Sequence, residues 1–109
     1  MGNNICDILH EDAVKRVKSY LVNDEEILKY VQLNKIFANF SRIKILLALE
    51  KEKLCVCDIG HILNMEQSAV SHQLRILKEN NLIVPIKDGK VIFYTLRDKE
   101  IINYIRRTL

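Results

Sequence analysis

The chain has 109 residues, 49% of them hydrophobic, and a formal net charge of +3. That length fits one domain with a small core, and a dimer would let it bury more surface. No long apolar run is present, which excludes a helical membrane span. The opening stretch MGNNICDILHEDAVK also lacks the uninterrupted apolar segment of a secretion signal, so a cytoplasmic location is expected.

Charge is unevenly placed. Residues 1–58 hold nine basic and nine acidic side chains, whereas residues 59–109 hold eight basic and five acidic ones. The excess in the second half fits a polyanionic partner. The three cysteines, in a reducing compartment, are expected as ligands or plain thiols rather than disulfides.

The first predicted helix runs from Glu11 to Val22, with Ala13, Val14, Val17 and Leu21 on one face. Asn23 or Asp24 caps a second, whose apolar set is Ile27, Leu28, Val31, Ile36 and Phe37. Asn39 or Ser41 caps a third, with Ile43, Ile45, Leu46, Leu47 and Leu49 mostly buried. Lys51–Lys53 form a charged connector. A short fourth helix covers roughly Val56 to Leu63 and ends near Asn64, and a fifth runs from Glu66 or Gln67 to about Asn80.

The pattern then becomes β-prone, at 82–86 and again at 91–95, with Lys87-Asp88-Gly89-Lys90 between. Asp-Gly between such runs signals a hairpin, because glycine tolerates the positive φ of the turn. Pro85 places the first strand at an edge or leaves it incompletely paired. A last helix spans about 98–109. The expected fold is mainly α with a β-hairpin wing, a winged helix-turn-helix occupying residues 1–109, with an N-terminal arm and helix at about 1–22. The alternative is an α+β domain whose hairpin is purely structural.

In the fifth helix Val70, Leu74 and Leu77 are spaced to face the core, while Ser68, Ser71, His72 and Arg75 fall within one other stripe. Gln67, Ser68 and Ser71 occupy its first two turns, the part that meets base edges when such a helix enters the major groove. Gln67 suits adenine, the hydroxyls are permissive readers, and Arg75 suits phosphate. Lys87 and Lys90 flank the hairpin tip, within reach of phosphates. The plain alternative for each is a solvated surface residue.

Cys55 and Cys57 form a Cys-x-Cys box suited to Zn²⁺, Cd²⁺, Pb²⁺ or Cu⁺. Residues i and i+2 of a regular helix point about 200° apart. The two thiols can share an ion only if Cys55 is extended just before the helix. Cys6 and His10, at i and i+4, are a candidate second pair, completing a tetrahedral set of three thiolates and an imidazole. Asp58 is a spare oxygen ligand, and His61 a minor alternative at i+4 from Cys57. Against this, Cys55 and Cys57 could be small packing residues and Cys6 an idle thiol. No nucleophile–base–orienter set and no phosphate loop is visible, so an enzyme is not expected.

The run LCVCDIGHILNMEQSAVSHQLRILKENNLI, followed by KDGKVIFYTL, resembles the ArsR/SmtB family of metal-responsive repressors over about residues 36–100. The Cys6 extension is most similar to the cadmium/lead/zinc-sensing branch. The resemblance implies a homodimer that binds an inverted-repeat operator in double-stranded DNA and releases it when a soft divalent metal (Cd, Pb or Zn) binds. It implies box ligands Cys55 and Cys57 from one subunit and arm ligands from the other, with His10 standing where that branch has a second arm cysteine. Gly60 replaces the further cysteine common in arsenic sensors. The final helix offers Asp98 and Glu100 but no histidine, so the family's second, interface-helix site is expected to be lost. Gln73 replaces a frequent recognition-helix histidine. A redox regulator using the same thiols is the rival reading.

Overall fold

The computed structural model describes residues 5–109. In chain order the elements are α1 (Glu11–Tyr20), α2 (Asp24–Phe37), α3 (Phe40–Lys51), β1 (Leu54–Cys55), α4 (Val56–Leu63), α5 (Gln67–Glu79), β2 (Ile83–Asp88), β3 (Val91–Leu96) and α6 (Glu100–Thr108). Two compact units divide the chain, one up to Gln32 and one from Leu33 to Leu109. None of these helices is long and apolar enough to cross a membrane.

In the first unit, α1 stops at Tyr20 rather than Val22, because Leu21 turns to extended backbone at φ −62°, ψ 136°. Acidic residues fill the first turn of both helices, where they complement the positive end of the helix dipole. Asn23 caps α2: its Oδ1 accepts the Glu26 N–H at 2.9 Å. The apolar stripe of α1 forms as expected but does not make a core. Ala13 and Val14 are half-buried, while Val17 and Leu21 are exposed.

The second unit carries the core. Ile45, Leu46 and Leu49 of α3, Ile59 of α4, and Val70, Leu74 and Leu77 of α5 pack with Ile36, Leu82, Ile83, Leu96, Ile102 and Ile105. Of the two candidate caps for α3, Asn39 is the one used; its Oδ1 accepts the Arg42 N–H at 3.0 Å. Lys99 stands at the N-cap position of α6 without a capping hydrogen bond, and Asp98 supplies one instead: its Oδ1 accepts the Glu100 N–H at 2.9 Å. Tyr104 of α6 donates its hydroxyl to Asn34 Oδ1 at 2.9 Å, and its ring stacks at a tilt on Phe37, with centroids 5.7 Å apart.

The expected two-stranded hairpin is one strand short. The sheet has three antiparallel strands in the order β1–β3–β2. Leu54 pairs with Tyr94 and Cys55 with Phe93, while β2 pairs with β3 from Ile83↔Leu96 to Asp88↔Val91. Pro85 does lie on an edge strand, where a missing N–H costs no ladder bond. The turn residues are Gly89 and Lys90 rather than Asp88 and Gly89, because Asp88 still pairs with Val91. Gly89 has φ +63°, as the first turn position of a type II′ hairpin requires. Burial falls from Ile83 and Leu96 at the root to exposed residues at the tip, so the hairpin projects from the core as a wing.

Candidate functional site

Helices α4 and α5 meet through a tight turn made by two local devices. Asn64 adopts the left-handed conformation (φ 57°), which asparagine tolerates better than other non-glycine residues. The chain then folds back so that the Met65 N–H donates to the Gly60 carbonyl at 2.9 Å. A Cβ at Gly60 would stand 3.0 Å from the Met65 carbonyl oxygen. A side chain there would require the turn to give by a few tenths of an ångström.

This turn sets the aim of α5. Val70, Leu74 and Leu77 are buried, and Gln67, Ser68, Ser71, His72 and Arg75 are all exposed on the other side. Within the stripe, the Arg75 Nη2 lies 3.1 Å from His72 Nδ1. The exposed face therefore presents an amide, two hydroxyls, an imidazole and a guanidinium, a set able to meet base edges and phosphates. Gln73 lies at the margin, half-buried, with its Oε1 buried and without a hydrogen-bond partner. Lys87 near the end of β2 and Lys90 in the turn are exposed at the wing tip. At the far end of α5, Asn81 (φ 61°) is a second left-handed residue, and Leu82 N–H returns to the Leu77 carbonyl at 3.0 Å, which launches β2.

The thiol box has the backbone that the angular argument demands. Cys55 is extended (φ −92°, ψ 174°) and is both the last residue of β1 and the N-cap of α4, while Cys57 lies in the helix. The regular-helix divergence of i and i+2 therefore does not apply to this pair. Both are free thiols, Cys55 half-buried and Cys57 exposed. Asp58 closes a capping box with Cys55: its Oδ2 accepts the Cys55 N–H at 3.1 Å, and the Cys55 side chain faces the Asp58 backbone N–H. Those hydrogen bonds from Cys55, backbone first and side chain second, hold the Asp58 carboxyl below its ordinary pKa, with His61 adding in the same direction. One Asp58 oxygen is therefore already engaged.

In the first unit, Cys6 is exposed and lies before α1, and exposed His10 is the N-cap of α1. The two are not on one helical face, since α1 begins only at Glu11. Among the described residues no three His, Cys, Asp or Glu side chains are gathered around one point. Asp98 is spent on capping α6, and Glu100 receives the Asn103 amide at 3.3 Å.

Sequence reasoning missed the anchoring of the box to the wing. Cys55 pairs with Phe93 of β3, and the Lys53 ammonium sits 4.8 Å above the Phe93 ring. Its signal was present in Leu54-Cys55-Val56, a short β-prone run before the helix, opposite the aromatic pair Phe93-Tyr94.

Comparison with known proteins agrees with this arrangement. The profile for "Bacterial regulatory protein, arsR family" matches residues 40–84, the segment from α3 to the start of β2. The cadmium resistance transcriptional regulatory protein CadC of Listeria innocua is 38% identical over 106 residues, covering 94% of this chain and 88% of that protein. A transcriptional repressor SmtB homolog of Synechocystis is 31% identical, covering 94% of this chain and 79% of that one. Reduced HlyU from Vibrio cholerae superposes with a TM-score of 0.71 at 32% identity, covering 77% of this chain and 88% of that one. With a winged helix-turn-helix in the second unit and relatives matched along nearly its whole length, the chain belongs to the ArsR/SmtB family of metal-responsive transcriptional regulators.

Proposed function

We propose that this chain is a homodimeric repressor in which a soft divalent cation, Cd²⁺, Pb²⁺ or Zn²⁺, releases an inverted-repeat operator. The observation that carries the reading is the double membership of Cys55. It ends a strand of the wing sheet and caps the first helix of the helix-turn-helix pair, so a pull on its thiol reaches both DNA-facing elements. In the metal-free dimer two α5 helices would enter successive major grooves. The donor set fits a thiophilic ion: Cys55 and Cys57 from one subunit, Cys6 and His10 from the arm of the other, and the free oxygen of Asp58 as a reserve ligand. When bound, the cation supplies a bridge between arm and box. Dimerisation is supported by exposed apolar side chains Val17, Leu21, Leu28 and Val31 in the N-terminal helices.

Operator binding titrated with Cd²⁺, Zn²⁺ and Pb²⁺ tests the switch, and unchanged affinity with metal bound rejects it. Metal absorption spectra of Cys6→Ser, His10→Ala and Cys57→Ser test the ligand set; loss of the thiolate charge-transfer band in the Cys57 variant alone removes the arm from it. A redox regulator is the second reading, favoured by the accessible Cys57 thiol. Mass spectrometry after peroxide decides it: no disulfide and no sulfenate means no redox sensor.

A further inference from the structure

We propose a second soft-metal site, held within a single subunit at the helix-turn-helix turn, in which Cys57, His61 and Met65 bind Cu(I). Three observations meet here. Cys57 and His61 stand at i and i+4 on α4, which puts their Cβ atoms roughly 5–6 Å apart on one face of the helix. Both are exposed, and neither has a hydrogen bond or ion pair fixing it elsewhere among those given for the described residues. Met65, the sole methionine besides Met1, is brought to the same place by the left-handed Asn64 and by its own N–H bond to Gly60. All three line one open cavity of about 330 Å³, which Gly60 and Gln67 also line.

The chemistry of the set selects the ion. A thiolate and a thioether are soft donors, and that combination favours Cu(I) over the harder divalent metals. Three donors, two of them soft sulfurs, can satisfy a soft monovalent ion, whereas the more highly charged structural Zn²⁺ takes four ligands. The site shares Cys57 with the divalent site proposed above and needs neither Cys6 nor His10, so it works without the partner subunit. Its ion would lie against Gln67, the first residue of the recognition helix.

The test is anaerobic titration of the full chain with Cu(I) against a colorimetric Cu(I) chelator, for wild type, Met65→Leu, His61→Gln and Cys6→Ser. Met65→Leu conserves volume and His61 is exposed, so thermal melting should find both variants folded. Wild type and Cys6→Ser are expected to bind one Cu(I) per chain with equal affinity. Met65→Leu and His61→Gln should each weaken Cu(I) binding by about tenfold or more, at least the loss seen when groups supporting metal ligands are removed. Both should keep the Cd²⁺ charge-transfer band. Copper X-ray absorption should show two sulfurs and one nitrogen. Unaltered Cu(I) affinity in both variants, or a loss in Cys6→Ser equal to theirs, overturns the proposal. A Cd²⁺ band independent of Cys6 would instead refute the intersubunit site and leave the copper result standing.

Discussion

Replacing Lys87 and Lys90 together by alanine isolates what the wing contributes to DNA binding. Both side chains are exposed, and among the described residues neither takes part in an ion pair. The fold should therefore be unmoved, within about 0.5 kcal/mol, as for surface positions generally. In the proposed dimer two wings bring four ammonium groups to the duplex. If each neutralises one phosphate, removing all four lowers the slope of log K against log salt by about 3.6. With no other change, that slope corresponds at physiological salt to an affinity loss of about 10³-fold. Fluorescence anisotropy on the operator and on an unrelated duplex, each across a salt series, reads both quantities. The loss should be the same for the two sequences, because phosphate contacts carry no base information. An unchanged slope would show that the wing touches no phosphate. A loss confined to the operator would mean that it reads bases instead.

Three further outcomes follow from single positions. Gly89→Ala should cost about 1–2 kcal/mol, all of it from the positive φ, because an added Cβ there meets nothing within 4 Å; a melting temperature equal to wild type would show that the turn relaxes freely. Leu74→Ala, at a side chain 2% exposed in the centre of the core, should cost about 2–5 kcal/mol in urea unfolding, and a cost under about 1 kcal/mol would contradict the packing. For Asp58 the sign follows from its lowered folded pKa. Its stabilising contribution is full above the unfolded carboxylate pKa and fades as pH falls through the lower folded value. Asp58→Asn should thus narrow its stability deficit against wild type in acid, and a deficit independent of pH would deny the capping carboxylate its role.

Much of the fold was legible because its signals are local. The apolar spacing of α5, the Asn39 cap and the glycine of the wing turn each act within a few residues, and each is found where the pattern put it. What escaped depended on partners distant in sequence. A strand of two residues has no periodicity to read, and β1 exists only because Phe93 and Tyr94 lie beside it some forty residues later. Asn64 was legible as the end of the fourth helix but not as a left-handed residue, and Asn81 gave no signal, since asparagine also caps helix starts, as Asn39 does here. At the thiol box, angular reasoning anticipated the extended Cys55 but not its backbone bond to Asp58. For the arm, the i, i+4 spacing of Cys6 and His10 suggested a shared helical face, yet the helix begins after both.

The short β1 strand explains how a small chain could couple ion binding to DNA release. Two paired residues form a weak hold, and the same cysteine that ends them caps α4. Drawing that thiol toward a cation competes with the cap and with the strand pairing at once. Losing an N-cap generally costs about 0.5–2 kcal/mol, the same range as the ~1–3 kcal/mol of a working allosteric coupling. The responding parts are rigid beyond this point: α4 packs through Ile59 and α5 through Val70, Leu74 and Leu77 in one core, and β3 is anchored by Leu96. In the proposed switch, a strain introduced at Cys55 would then be passed on as a change in angle between wing and recognition helix rather than absorbed locally. A long, strongly paired β1 would resist the pull, and a box placed in mid-helix would have no strand to move.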